Sequence, residues 1–374
     1  MICESISGLD MSCRCICCWS SMKLAEPMPR LDRLDRSPKP AEDTRTNTQQ
    51  PVKSNSKHIS PCFLSQNGSP RRAKMKKTNV DRVLCVSLLI LMSSGKMDSH
   101  SPAFNDKAQL VLPEFYNIGW MKELDGNTLL SDITIPGTHD TMALYGGPAA
   151  ECQAWSLEDQ LKAGIRYIDL RVYAFKNTLY LMHGIIYQHS KFTMALDTLK
   201  AFLSEFPSET VLVRVKPDLF DKSKVQESVE KLIEGDSSVW MKSTIPRLDE
   251  VRGKIVFVQE DSFLLGVPLS ETDTKGDYKV IHISDKEKET FQHLNQAMKE
   301  CGGNSIILTY SSGTGIGTFE GMFLTPKKVA EKINPWLYDY LQMLLAEGSP
   351  VCFGIIAMDF PSVDLIQTVI KFNM

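Results

Sequence analysis

The sequence predicts an α/β fold, built as one closed barrel of parallel strands with helices outside. Three observations predict it. From about residue 113 to the end, short apolar runs alternate with helical patterns. Roughly seven or eight such runs fit into about 260 residues. No Gly-x-Gly-x-x-Gly turn follows a first strand, which weakens the competing open, doubly wound sheet.

The first strand is read at Ile133–Ile135, running into Pro136-Gly137 and a tight turn. Trp155–Gly164 is read as a helix. Ser156 caps it, Leu157, Leu161 and Ile165 share a face, and Gly164 helps stop it. Tyr167–Arg171 and Leu179–His183 are read as the second and third strands. Phe192–Phe206 repeats the helical signal through Leu196, Leu199, Phe202 and Phe206. Further strands are expected at Thr210–Lys216, Lys254–Gln259, Lys279–Ile283, Ser305–Tyr310 and Val351–Phe360. Helices are expected at Ser223–Glu234, Lys286–Glu300 and Lys327–Ala346, the last interrupted at Pro335.

The chain has 374 residues and 43% hydrophobic composition, enough for a sizeable core. Its net charge of -3 provides no global basic field for nucleic acid. Residues 1–74 are rich in Ser, Pro, Asn, Gln, Lys and Arg, lack periodicity, and are expected to be a disordered extension. Cys13-Arg-Cys-Ile-Cys-Cys18 lacks the paired ligand spacing of a zinc site. Residues 75–97 combine a basic start, an apolar run from Val83 to Met92, and small residues at Ser93-Ser94-Gly95. That pattern matches a secretory signal peptide, with an internal membrane anchor as the alternative. The expected location is therefore secreted, acting at a membrane surface. Seven of the ten cysteines precede residue 100, leaving Cys152, Cys301 and Cys352 in the barrel region. One disulfide or buried free thiols fit that number equally, and the pair is open.

The chemistry concentrates at strand ends. Thr138-His139-Asp140 follows the first strand, Asp169 and Arg171 end the second, and His183 ends the third. Lys216 ends the fourth and Asp359 the last. A barrel presents its reactive groups at the C-terminal ends of its strands. Two histidines suit a base and an acid, because imidazole titrates near neutral pH. An arginine suits a phosphorane-like transition state, because its planar fork stays charged. A carboxylate beside each imidazole fixes its tautomer. The chemistry that fits is metal-free cleavage of a phosphodiester. Singly, each residue has a structural reading: Asp140 as a turn cap, Arg171 as an ion pair with Asp169, Asp359 as a turn start. Their convergence on one end of the barrel outweighs those readings. His189, His282 and His293 lack such a context and read as structural or exposed.

Ile135-Pro-Gly-Thr-His-Asp140, Gly164-Ile-Arg-Tyr-Ile-Asp-Leu-Arg171 and Leu181-Met-His-Gly184 resemble the X domain of the phosphatidylinositol-specific phospholipase C family. Arg252-Gly-Lys-Ile-Val256, Thr309-Tyr-Ser-Ser-Gly-Thr314 and Met358-Asp-Phe-Pro361 add to the likeness, which runs from about Trp120 to Asn373 within residues 113–374. It resembles the bacterial, single-domain type more than the large eukaryotic members. The resemblance implies a distorted TIM-type barrel and attack by the inositol 2-hydroxyl, giving diacylglycerol and a cyclic inositol phosphate. It implies His139 as general base oriented by Asp359, and His183 as general acid assisted by Asp140. Arg171 would clamp the phosphate, with Asp169 behind it. Lys216 would contact the inositol ring and Tyr278 would pack on it.

The large eukaryotic members hold calcium. Asp140 and Arg171 stand where they have a ligand asparagine and a ligand aspartate, so no calcium, no other metal and no cofactor is expected. One departure concerns Gln259 and Glu260, which stand where the bacterial type has an inositol-contacting arginine. The expected partner is membrane phosphatidylinositol, met transiently by a monomer. Phe319-Glu-Gly-Met-Phe-Leu324 is read either as a lipid-wedging rim or as local core. Two other functions fit a similar barrel. One is cleavage of glycerophosphodiesters or sphingomyelin with a divalent metal. The other is binding of inositol lipid without turnover.

Overall fold

The computed structural model describes residues 102–218, 222–348 and 351–374. The proposed extension at 1–74, the segment at 75–97 and the Cys13–Cys18 cluster lie outside the described residues.

In chain order the strands are β1 (Ile135–Thr138), β2 (Tyr167–Phe175), β3 (Thr178–His183), β4 (Ile186–Lys191) and β5 (Val211–Pro217). They continue with β6 (Val239–Trp240), β7 (Ile255–Val258), β8 (Leu269–Glu271), β9 (Ile306–Tyr310) and β10 (Ile355–Met358). The helices are α1 (Leu157–Lys162), α2 (Phe192–Glu205), α3 (Lys222–Ile233), α4 (Leu248–Val251), α5 (Ile283–Glu300), α6 (Pro326–Glu347) and α7 (Val363–Ile370). The sheet path runs β6-β7-β5-β2-β1-β10-β9-β8, with β3 and β4 branching from β2. Every pairing along that path is parallel. β1, β7, β9 and β10 are buried along their whole length, as strands covered on both faces must be.

The sheet curls into a barrel whose closure is incomplete. Among the described residues, one parallel bridge, Val258↔Val267, links β7 to the segment entering β8. Gly266 makes that approach feasible. Its φ is +88°, and a Cβ there would lie 1.8 Å from the Phe257 carbonyl oxygen.

Four expectations need correction. β2 is nine residues long, so Arg171 sits in its middle rather than at its end. Its upper half outruns β1 and pairs antiparallel with β3 from Val172↔Leu181 to Phe175↔Thr178. The reversal at Lys176-Asn177, both at positive φ, is a two-residue hairpin turn. It carries His183 back down beside β2, so His183 is not at the end of a barrel strand. Lys279–Ile283 is not a strand. Its backbone makes one bridge, Lys279↔Thr314, before α5 begins at Ile283. Helix α6 is unbroken through Pro335. Proline there removes one backbone donor, but Ile333, Asn334, Leu337 and Leu341 stay buried on either side and hold the helix in line.

Other expectations hold closely. Ser156 accepts from the Asp159 N–H at the start of α1. α2 covers Phe192–Glu205 and buries Leu196, Leu199 and Phe202. Cys301, after α5, is disulfide-bonded to Cys352, just before β10, with Cα atoms 5.8 Å apart. Cys152 is a buried free thiol.

Among the described residues, the core contains one ion pair with neither side chain exposed. Arg166 Nη2 lies 2.9 Å from Glu209 Oε2, and both side chains have no exposure. Arg166 also donates to the carbonyls of Leu161 and Ile165, each at 2.8 Å, and its guanidinium lies 4.6 Å from the Phe202 ring. Glu209→Ala leaves that guanidinium buried without its counter-charge. Urea unfolding of the variant should show a loss of about 3–5 kcal/mol.

Candidate active site

The turn after β1 builds the site. Gly137 lies in register with Tyr167, and a Cβ at Gly137 would lie 2.6 Å from the Tyr167 ring. Glycine therefore lets β1 and β2 close up. The chain then turns sharply, with Asp140 in the left-handed region at φ +41°. An aspartate there is strained, and local contacts hold it. The Asp140 N–H donates to Asp169 Oδ2 at 3.3 Å, and the Thr141 N–H donates to the Asp169 carbonyl at 3.0 Å. Gln153 Nε2 donates to the carbonyls of His139 at 2.7 Å and Met358 at 2.9 Å, tying the turn to β10.

The turn places one buried carboxylate among three basic side chains. Asp140 Oδ1 pairs with Arg171 Nε. Asp140 Oδ2 lies 3.6 Å from His139 Nε2 and 3.4 Å from His183 Nε2. A single oxygen thus lies between the two imidazoles. His139 Nδ1 is 3.0 Å from Asp359 Oδ1, and His139 Nε2 is 3.0 Å from Arg171 Nη2. A guanidinium can only donate, so His139 Nε2 accepts and its proton sits on Nδ1, toward Asp359. His183 Nδ1 lies 2.7 Å from the Ala150 carbonyl oxygen, which can only accept. His183 therefore carries its proton at Nδ1, and any second proton goes to Nε2, facing Asp140.

The electrostatics are layered. In the parallel register of β2 and β5, Asp169 neighbours Arg214, and Arg171 neighbours Lys216. The lower pair is of opposite sign; the upper pair is two cations. Burial pushes the Asp169 carboxyl up, but Arg214, Arg171, His139 and Lys216 outweigh it and hold the group below its usual range. Burial dominates at Asp359 and raises its carboxyl, with His139 pulling the other way. For His139, burial disfavours the charged ring, yet the charges of Asp359 and Asp140 prevail and raise its pKa. The Arg171 contact pulls against them, since it requires the lone pair on Nε2. Arg171 itself stays charged, its pKa raised by Asp140 and Asp169 against the cost of burial.

These groups open into a cavity of about 1060 Å³. Its lining includes His139, Asp140, Arg171, His183, Lys216, Tyr278 and Asp359. Asp169, with no exposure, lies beneath the wall and makes no direct contact with Arg171 among those resolved. Its support of Arg171 is through charge rather than a hydrogen bond. Sequence reasoning missed Arg214 and Tyr310. Arg214 donates to Tyr310 Oη and Glu271, and lies 3.8 Å from Glu260 Oε1. Its signal was its place two residues before Lys216, on the same face of β5. Tyr310 ends β9 and packs edge-on to His139 with ring centres 5.5 Å apart. Gln259, by contrast, turns to the Gly266 carbonyl at 3.1 Å.

His139, Asp140 and Cys152 bring one possible metal-ligand atom each within 4.8 Å of one another. The guanidinium of Arg171 already contacts two of them. A fixed positive charge at that point does not fit a cation as well.

Residues 127–261 match the family model described as phosphatidylinositol-specific phospholipase C, X domain. A relative from Listeria monocytogenes, named 1-phosphatidylinositol phosphodiesterase, is 31% identical over 279 residues, covering 68% of this chain and 84% of the relative. The chain belongs to the phosphatidylinositol-specific phospholipase C X-domain family. A Staphylococcus aureus protein of the same name is 30% identical over 190 residues, covering 47% of this chain and 56% of that one. The solved phospholipase C from Listeria monocytogenes superposes with a TM-score of 0.58 at 30% identity, covering 69% of this chain and all of that one. A Staphylococcus aureus structure at 20% identity superposes equally well, with a TM-score of 0.58 over 69% of this chain and 97% of that one, and shares the fold. The chain's barrel thus has the α/β fold of these relatives.

The charge pattern makes a titration prediction. Asp359 is the largest of the influences that raise His139. In Asp359→Asn the midpoint for His139, followed by NMR of the imidazole protons, should move to lower pH than in the unaltered chain.

Proposed function

We propose that this chain cleaves the phosphodiester of phosphatidylinositol, or of a glycosyl-phosphatidylinositol, without a metal ion. The observation that carries the reading is the Asp140 carboxylate touching His139, His183 and Arg171 together in the wall of one cavity. In this reading the inositol 2-hydroxyl attacks its own phosphorus. Binding of the phosphate to the Arg171 fork draws the guanidinium off His139 Nε2 and frees that lone pair to take the hydroxyl proton. Asp359, on Nδ1, stabilises the imidazolium that forms. Arg171 and its neighbour Lys216 offset the charge gathering on the phosphorane oxygens. His183, protonated on Nε2, gives its proton to the diacylglycerol oxygen as that bond breaks. The products are diacylglycerol and a cyclic inositol phosphate. Arg171 supplies the charge that calcium supplies elsewhere, so the reaction is calcium-independent.

Exposed apolar side chains support a lipid substrate. Phe319, Met322 and Phe323 are exposed, at 92%, 51% and 72%, while Leu324 packs with Val280, Val329 and Ile333. Leu324 thus fits the local-core reading, and the exposure of the other three supports the lipid-facing one. Ile185, two residues after His183 on the hairpin, is 86% exposed and adds a further apolar side chain. Such residues enter the acyl boundary of a bilayer during a transient visit. The disulfide between Cys301 and Cys352 supports secretion, since such bonds persist in oxidising compartments. A monomer suffices, because every proposed group comes from one chain.

His139→Ala and His183→Ala should each reduce turnover of phosphatidylinositol vesicles by about 100- to 10,000-fold. EDTA should leave the wild-type rate unchanged. Mass analysis of products should find a cyclic inositol phosphate; its absence, or loss of activity in EDTA, would overturn the reading. Phe319→Ser combined with Phe323→Ser should weaken sedimentation with phosphatidylinositol vesicles while leaving cleavage of a short-chain soluble substrate intact.

A further inference from the structure

Helix α6 reaches the turn after β10 through one side chain that the chemistry above does not use. Asn334 lies within α6 and is 1% exposed. Its Nδ2 donates to the carbonyl oxygens of Asp359 at 2.9 Å and Phe360 at 3.1 Å. Those two carbonyls come just after β10, where its parallel pairing with β1 stops. A primary amide suits the place, because one nitrogen carries two N–H groups and can serve both oxygens. The position is otherwise a poor one for asparagine. It is a weak helix former, and Pro335 follows it, which disfavours helical backbone at the preceding residue. Local propensity is set aside here for a contact with a residue 25 positions further along the chain.

Asp359 needs support from outside its own side chain. Its Oδ1 lies 3.0 Å from His139 Nδ1, while no donor among the described residues reaches its buried Oδ2. The aim of the carboxylate therefore depends on the backbone that carries it. That backbone is strained. Phe360, the next residue, has φ +46°, in the left-handed region that a bulky side chain rarely adopts. Neighbouring contacts hold it there. The Phe360 N–H donates to the Cys152 carbonyl at 3.0 Å, and the Asn105 N–H donates to the Phe360 carbonyl at 3.0 Å. Gln153 Nε2 holds the Met358 carbonyl just before them. Asn334 is the member of this set that grips Asp359 itself. By holding the carbonyls before and after the Phe360 Cα, one amide restrains the rotation about that residue. Removing it takes a hydrogen bond from a buried carbonyl and frees the strained turn to relax.

We infer that Asn334 is a positioning residue for the Asp359–His139 pair: it holds the strained turn after β10 so that the carboxylate stays on His139 Nδ1. It acts through the backbone of Asp359 and touches no reacting atom. Its effect on turnover rests on the proposed phosphatidylinositol cleavage, but its effect on the pair does not.

Two variants of the full chain test it: Asn334→Leu, close in size and without donors, and Asn334→Ser, too short to serve both carbonyls. The first readout needs no activity. Burial lowers the His139 pKa, and Asp359 is the largest of the influences that raise it. A carboxylate that swings away should therefore let the His139 midpoint, followed by NMR of the imidazole protons, move to lower pH, in the direction expected of Asp359→Asn. Leu337→Ala is the control. It removes a buried side chain from the same helix and leaves the Asn334 amide in place, so it should lower the melting temperature with the midpoint unmoved. A midpoint unchanged in both Asn334 variants would overturn the inference, as would an equal shift in Leu337→Ala. If neither Asn334 variant folds, the residue is structural and the inference falls. The second readout is turnover of a short-chain soluble phosphatidylinositol. Asn334→Leu should lower kcat about 10- to 100-fold with KM preserved, the scale of a small misplacement at a reacting group. Added to Asp359→Asn, it should cost less than about threefold more, because both changes remove the same interaction. Losses that multiply in full would count against the role, whereas a wild type that never cleaves phosphatidylinositol would sink the proposed function and leave the titration standing.

Discussion

One carboxylate organises this active site. Asp140 is almost fully buried, and it meets a guanidinium on one oxygen and two imidazoles on the other. A charge in such a place is tolerated only when paired. The pairing works in both directions. Arg171 needs Asp140 to remain charged at little exposure, and the two histidines need it to lie within reach of one another's chemistry. The strained backbone at Asp140 is the geometric side of the same constraint, because a relaxed turn would aim the side chain elsewhere.

Beneath that carboxylate the barrel carries a second tier of charge. Asp169 and Arg214 are neighbours on β2 and β5, and both are buried. Arg214 reaches on to Tyr310, whose ring lies against His139. The tier joins His139 to the wall formed by Glu271 and Glu260. Arg214, two positions before Lys216, and Gln259, which donates to the Gly266 carbonyl, both line the cavity. The upper tier, Arg171 beside Lys216, places two like charges on adjacent strands. Such an arrangement is unfavourable alone and favourable with an anion between the pair and the cavity.

The long elements were legible in the sequence because their signals are local. α1 was framed by Ser156 and Gly164, and α2 by the spacing of Leu196, Leu199 and Phe202. β7 and β10 are continuous apolar runs, β5 and β9 mainly apolar ones, and all four appeared where expected. β6 and β8 were not legible, being two and three residues long and stabilised by their neighbours rather than by their own composition. Lys279–Ile283 had the composition of a strand but makes a single bridge, Lys279↔Thr314, before α5 begins. Pro335 had the composition of a break, but burial on both sides of it carried the helix through. Tertiary packing overruled local propensity in both.

The sequence by itself determined the parts of the site. His139, Asp140, Asp169, Arg171, His183 and Asp359 were recognisable as polar and ionisable groups set in or just after apolar runs. Tertiary structure decided how they meet. That His183 returns on an antiparallel hairpin, that Asp140 rather than Asp169 touches Arg171, and that Arg214 joins the cavity lining are all facts of register and closure. Those depend on contacts between residues far apart in the chain, and no local pattern encodes the distance between them.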